Sequence, residues 1–394
     1  MIWITLGNRG VSMRKKVLSL IIAVILSLAI FPVNIIASAN PDKSYKTCSL
    51  YLAETGTGQV LYAKNENERR PIASMTKIML LNLCFEAIES GELNFDEKII
   101  VSKTASGMGG SQVFLEADEK YKAEDLIKSI IVASANDASV AMAERLFGSE
   151  AECVSVMNAR CGEWNLGNTL FSNCTGLPKP TQYSSAKDVA VMISKLIGHK
   201  DYFRFSKIWT DEIEHKTGRK TGLTNTNKLV RFYDGCDGGK TGFTSDSGFC
   251  LAATAKRGAL RLIAVAINSP DSKTRFAEVS SMFNYGFENF TSKNVVDSSK
   301  PLDLDVKVDK GTKEKIKIIP ESDVYVFSER NKKENVTIDF KPDKVVAPVK
   351  KGDRVGELIV YRDNVEYKRV NVQAVEDVSK KTYFDYVKNI GEKW

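Results

Sequence analysis

Histidine is scarce in this 394-residue chain: only His199 and His215 are present. A histidine-based triad or a multi-histidine metal centre is therefore not the expected chemistry, and any general base is to be sought among other residue types. The seven cysteines (Cys48, Cys84, Cys153, Cys161, Cys174, Cys236 and Cys250) form no C-x-x-C pair and keep no regular spacing. That argues against a zinc site or a disulfide framework. Neither a metal nor a cofactor is expected. A basic block is missing as well. The formal net charge is +7, but lysine and arginine alternate with acidic residues along most of the chain, so nucleic acid gains little support as a partner. No repeat period and no low-complexity tract is apparent.

What is present suits a packed protein: 43% apolar and 27% charged residues, with a length that at about 150 residues per domain suggests two to three folding units. Arg14, Lys15 and Lys16 precede an uncharged run from Val17 to Ala39 that closes with Ala37-Ser38-Ala39. This is the layout of a secretory signal peptide over residues 1–39. The expected location is extracytoplasmic.

Strand-like alternation from Thr47 to Ala53 and from Gln59 to Ala63 predicts a hairpin. A run from Ser74 to Ile88, apolar around most of a helix, predicts a buried central helix. Helical periodicity continues over Ala123 to Val132, Ala138 to Leu146, Glu150 to Glu163 and Ala186 to Ile197. Strand-like segments then follow at Gly238 to Thr244, Gly248 to Lys256 and Leu260 to Asn268, with a last helix from Lys273 to Asn289. Strand, helical block, strands and helix give one α+β domain over residues 40–290, its sheet joining both ends of the segment. After Phe290 the sequence turns polar, and short alternating runs predict a small all-β domain over residues 291–375. Residues 376–394 place Tyr383, Val387, Ile390 and Trp394 on one face of an amphipathic terminal helix. Such a pattern serves either to lie on a membrane surface or to pack on the β domain.

Three short strings carry chemistry. Ser74-Met75-Thr76-Lys77 puts a hydroxyl and an ammonium one helical turn apart at a helix start, where backbone N–H groups and positive potential also gather. Ser12/Lys15 and Ser184/Lys187 share the spacing, but only Ser74 opens the central helix; Ser184 reads as a helix N-cap. Lysine is a base only when neutral, which calls for burial and a nearby second cation. Lys240-Thr241-Gly242 on a predicted strand offers that cation. Its rivals at Lys216 and Lys220 lie in a polar, turn-rich segment. Ser134-Ala135-Asn136-Asp137 sits between two predicted helices and could bring a hydroxyl and a carboxamide to the same place, or simply cap a helix.

In this order the three strings resemble the penicillin-recognising serine D,D-peptidases and β-lactamases. The longer strings Pro71-Ile-Ala-Ser-Met-Thr-Lys77, Ser134-Ala-Asn-Asp-Ala138 and Asp237-Gly-Gly-Lys-Thr-Gly-Phe-Thr244 are similar to the D-alanyl-D-alanine carboxypeptidase family in particular. The resemblance implies a β-lactamase/transpeptidase-like catalytic domain that removes the terminal D-alanine from peptidoglycan stem peptides and is acylated by β-lactam antibiotics. It also implies that Ser74 forms the acyl-enzyme, Lys77 takes its proton and Ser134 relays protons to the leaving amine. Asn136 would hold the substrate amide, and Lys240 and Thr241, joined by Arg275, the terminal carboxylate. Gly242 would let the substrate backbone lie close, while the N–H groups of Ser74 and Phe243 form the oxyanion hole. Ala135 departs from the glycine often found there. A β-lactamase, a D,D-transpeptidase and a silent cell-wall binding protein are the alternatives.

Overall fold

The computed structural model describes residues 44–385. The predicted signal peptide and most of the predicted terminal helix lie outside the described residues.

A five-stranded antiparallel sheet joins the two ends of the first domain. Its strand order is Val60–Lys64, Ser49–Glu54, Leu260–Ser269, Gly248–Arg257 and Cys236–Thr244. Both faces are covered, and the period-2 alternation of each strand decides which residue serves which face. Tyr51, Ala53, Ala252, Ile263, Val265 and Ile267 belong to the core under the helical block. Their neighbours Leu50, Leu52, Leu251, Ala253, Leu262 and Ala264 pack with Val279, Met282, Phe283 and Phe287 of the Ser272–Asn289 helix. The Glu54 carboxylate closes the first hairpin, accepting from the backbone N–H groups of Gly56 and Thr57 at 2.6 and 2.7 Å.

The Lys77–Ser90 helix runs through the block with ten of its residues buried, and Gly91 ends it in the left-handed conformation. Around it stand helices Ala123–Val132, Asn136–Phe147, Glu150–Glu163 and Ala186–Leu196, as their apolar periodicity predicts. Two corrections arise at helix starts. Ser74 does not open the α-helix: Ala73–Thr76 form a 3-10 turn and the α-helix begins at Lys77. Ala73 stands at φ +47°, so the chain turns too tightly there for a regular first turn. Nor is Ser184 the cap of its helix. Ser185 is, accepting from Asp188 N, while buried Ser184 bonds Thr169 Oγ1 at 2.8 Å and bridges to Arg70.

The chain stays in β structure at Phe290, because Phe290–Val296 pairs antiparallel with Val324–Glu329 in spite of its polar residues. Phe290 stacks on Phe327 with centroids 5.2 Å apart, and Phe327 reaches the core beneath the Ser272–Asn289 helix. A six-stranded sheet built on Val336–Pro342, Arg354–Arg362 and Val365–Ala374 completes the all-β domain around a valine-rich core. The segment after 375 is not helical from its start. Val378 and Val349 exchange backbone hydrogen bonds of 2.8 and 2.9 Å, and Thr312 N donates to Ser379 O, which holds it extended against the β domain. A helical turn begins only at Tyr383, with Thr382 and Asp385 bonding reciprocally in the manner of a capping box. No helix of the described residues is long and apolar enough to cross a membrane.

Candidate active site

The 3-10 turn carrying Ser74 lies against the edge strand Cys236–Thr244. The approach is so close that a Cβ on Gly242 would stand 2.5 Å from Ile72 O and 3.3 Å from Ser74 N. On the other side a Cβ on Gly176, which has φ +84°, would meet Ala73 O at 2.1 Å. Only glycine lets both segments reach the nucleophile's backbone.

Lys77, one turn on, is buried. Its Nζ donates to Ser74 Oγ at 3.1 Å, to Asn136 Oδ1 at 2.7 Å and to Thr175 O. Burial brings its pKa down to about 7, because a charged ammonium has lost its water. When the amine is neutral, its lone pair can take the serine proton across the same contact. Lys240 is equally buried and held well below the ordinary lysine range, by burial first and then by the charges of Lys77 and Arg275. The mutual repulsion expected from sequence thus appears at Lys240, while at Lys77 burial is the main cause.

Ser134 occupies the turn between helices Ala123–Val132 and Asn136–Phe147 at φ +63°. Its Oγ is buried and, among the described residues, has no hydrogen-bond partner. A buried hydroxyl in that state is costly unless a ligand completes it. Asn136 is more committed than expected. Its Oδ1 accepts from Lys77, and its Nδ2 donates to Gly109 O at 2.6 Å, which leaves one carboxamide N–H for a ligand. Asp137 is not the helix cap, a place held by Ala135 without a side-chain bond. The Asp137 carboxylate is buried and accepts from the backbone N–H groups of Val113, Leu115 and Ala138, tying the loop that carries Gly109 to the S-A-N turn.

Thr241 is buried beside Lys240, and Phe243 is exposed with its ring 4.3 Å from that of Phe249. Arg275 is no solvated surface residue. It is buried, donates through Nη1 to Gly242 O at 3.2 Å and Cys250 O at 2.9 Å, and is pushed down to about 10 by burial. The edge strand is braced from behind: Tyr202 Oη accepts from Gly239 N at 2.9 Å, and Arg261 forks onto the Asp237 carboxylate at 2.8 and 2.9 Å. Lys216 and Lys220, the rival K-T-G lysines, lie in and beside the exposed hairpin turn of Thr210–Glu214 and Lys220–Thr224 and pair with Glu119 and Glu212.

Sequence reasoning missed the Asn173–Gly176 turn. Asn173 Oδ1 accepts from Gly176 N at 2.7 Å and shapes the loop that delivers Thr175 O to Lys77. The turn residues of Asn173-Cys-Thr-Gly-Leu-Pro178 were the available signal. All seven cysteines are free thiols. Among the described residues no group of three His, Cys, Asp or Glu side chains could hold a metal ion.

Residues 36–271 match the family described as D-alanyl-D-alanine carboxypeptidase, peptidase S11, and residues 290–380 match the penicillin-binding protein 5 C-terminal domain. The D-alanyl-D-alanine carboxypeptidase DacF of Bacillus subtilis is 37% identical over 90% of this chain and 91% of its own length. Penicillin-binding protein 5 from Haemophilus influenzae superposes with a TM-score of 0.66 at 26% identity, over 86% of this chain and 99% of its own. Penicillin-binding protein D2 from Listeria monocytogenes, in its ampicillin-bound form, does so with a TM-score of 0.56 at 28% identity, over 63% of this chain and 100% of its own. With a serine, a buried low-pKa lysine and a two-domain architecture all in place, this chain belongs to the D-alanyl-D-alanine carboxypeptidase family of serine peptidases.

Proposed function

We propose that the chain is a D,D-carboxypeptidase that removes the terminal D-alanine of peptidoglycan stem peptides through an acyl-enzyme on Ser74, and that β-lactams acylate the same serine. The observation that carries this reading is Lys77: a buried amine with a pKa of about 7, its Nζ 3.1 Å from Ser74 Oγ. In the proposed reaction Lys77 Nζ takes the Ser74 proton as Oγ attacks the carbonyl of the penultimate D-alanine. The N–H groups of Ser74 and Phe243 stabilise the oxyanion. The proton returns to the leaving amine by way of Ser134, and water then hydrolyses the ester. Lys240, Thr241 and Arg275 receive the terminal carboxylate, whose negative charge offsets the crowding of cations there.

The partners of Lys77 are a hydroxyl, a carboxamide and a backbone carbonyl. With no carboxylate among them to activate a deacylating water, a peptidase is favoured over a β-lactamase. The relatives' names agree. The test is D-alanine release from a diacyl-Lys-D-Ala-D-Ala peptide together with covalent labelling by fluorescent penicillin. Normal labelling of Ser74→Ala would refute the assignment.

Export and membrane contact belong to the same proposal. The charged, then apolar, then small-residue order of residues 14–39 supports export. Tyr383 and Phe384, 78% and 81% exposed where the terminal helix begins, support a peripheral seat on the outer face of the cytoplasmic membrane. Vesicle flotation of protein with and without residues 376–394 distinguishes this from packing on the β domain.

A further inference from the structure

The Asn136 carboxamide faces two ways: its Oδ1 accepts from Lys77 at 2.7 Å, and its Nδ2 donates to Gly109 O at 2.6 Å. Turning it over would offer Lys77 a donor, which engages the lone pair needed for the Ser74 proton. It would also offer the substrate an acceptor where an amide carbonyl needs an N–H. Lys77 does not prevent the turn, since a neutral amine both donates and accepts. Gly109 O does, because a carbonyl only accepts. The orientation of Asn136 therefore depends on where the loop of residues 109–115 holds Gly109.

That loop is held in a strained shape. Phe114 stands at φ +59° with its ring 54% exposed, a costly conformation for a bulky side chain and one that packing of the ring does not repay. Its neighbours impose it. The buried Asp137 carboxylate accepts from the N–H on either side, Val113 at 3.0 Å and Leu115 at 3.1 Å. From outside, Arg219, in the turn between strands Thr210–Glu214 and Lys220–Thr224, donates through Nη2 to Phe114 O at 2.7 Å. Between this grip and Gly109, Ser111 O accepts from Asn136 N at 2.7 Å, and Gly110 passes so near that a Cβ on it would stand 2.8 Å from Asn136 Nδ2.

We propose that Asp137 is a positioning residue for acylation: its carboxylate fixes the 109–115 loop, and the loop fixes the Asn136 carboxamide with Oδ1 toward Lys77 and one N–H toward the substrate. The inference rests on the D,D-carboxypeptidase reading, in which that N–H receives the substrate amide. Asp137→Asn puts an NH₂ in place of one of the two oxygens that accept from the loop, so the grip loosens and the amide turns over in part of the molecules.

The experiment compares acylation by benzylpenicillin, whose side-chain amide carbonyl can accept from Asn136, with acylation by 6-aminopenicillanic acid, which has the same ring system and carboxylate but no such carbonyl. It is run at about pH 9, above the Lys77 midpoint near 7, so that Lys77 is neutral throughout. A general loss of order slows both reagents alike and leaves their ratio unchanged. Asp137→Asn is expected to lower the benzylpenicillin to 6-aminopenicillanic acid ratio about five- to tenfold, the effect of one lost hydrogen bond. Arg219→Ala, an exposed change that loosens the same loop from outside, should lower it about two- to threefold. Adding Phe114→Gly to Asp137→Asn, which lets the loop keep its shape without strain, should restore part of it. An unchanged ratio in Asp137→Asn would overturn the proposal; were that variant not to fold, an unchanged ratio in Arg219→Ala would do so. Acylation of the unmodified protein by neither reagent would overturn the carboxypeptidase reading itself.

Discussion

Lys77 Nζ lies 2.7 Å from Asn136 Oδ1, a contact between the first turn of the central helix and the first turn of the helix behind the S-A-N loop. The carboxamide thus helps hold the amine within reach of Ser74, and as a neutral acceptor it does so without stabilising the ammonium as a carboxylate would. The substitution Asn136→Asp puts a negative charge at that distance. The charged form of Lys77 is then favoured, so the pH limb of penicillin acylation should move upward by one unit or more, a shift of about 1.4 kcal/mol per unit. Stopped-flow acylation across pH 5 to 10 reads it, and an unmoved limb would show that the group at position 136 does not set the charge of Lys77.

The same profile in the unmodified protein has a predicted sign. Below about 7 Lys77 is an ammonium with no lone pair for the serine proton; above it the amine is free. Acylation should therefore rise with pH and level off, with a midpoint near 7.

Removal of the reacting groups should separate chemistry from folding. Ser74→Ala is expected to abolish penicillin labelling and lower D-alanine release by at least about 10⁴-fold, with thermal unfolding little changed. Lys77→Arg, a permanent cation in a buried place, should lose about 10²- to 10⁴-fold in acylation and also unfold at lower temperature.

Gly176 offers a test of the loop that the sequence reading missed. In Gly176→Ala the new Cβ would stand 2.1 Å from Ala73 O at a φ of +84°. A loss of about 1–3 kcal/mol or more in urea unfolding is expected, together with slower penicillin labelling. Gly58→Ala is the matched comparison: φ is +73° but, among the described residues, nothing lies within 4 Å of the added carbon. It should show only the smaller backbone penalty and keep normal labelling.

Among the described residues Ser134 Oγ has no hydrogen-bond partner. Ser134→Ala should therefore cost little stability. If the hydroxyl relays a proton, D-alanine release should fall by about 10²-fold or more, with the larger change in kcat than in KM.

Local signals in the chain were enough to determine much of this protein. The unbroken apolar runs Leu50 to Ala53 and Leu262 to Ile267 encode strands covered on both faces, and the all-round apolar run after Ser74 encodes a central helix, because side-chain patterning is a property of neighbours along the chain. The S-x-x-K, S-x-N and K-T-G strings named the reacting residue types in the same way. Tertiary structure decided the rest. The 3-10 turn at Ser74, the binding of Asn136 to Lys77 rather than to solvent, and the inward Arg275 all depend on segments distant in sequence. So does the pKa of Lys77, since desolvation is the collective work of every element packed around the amine and no spacing of residues records it.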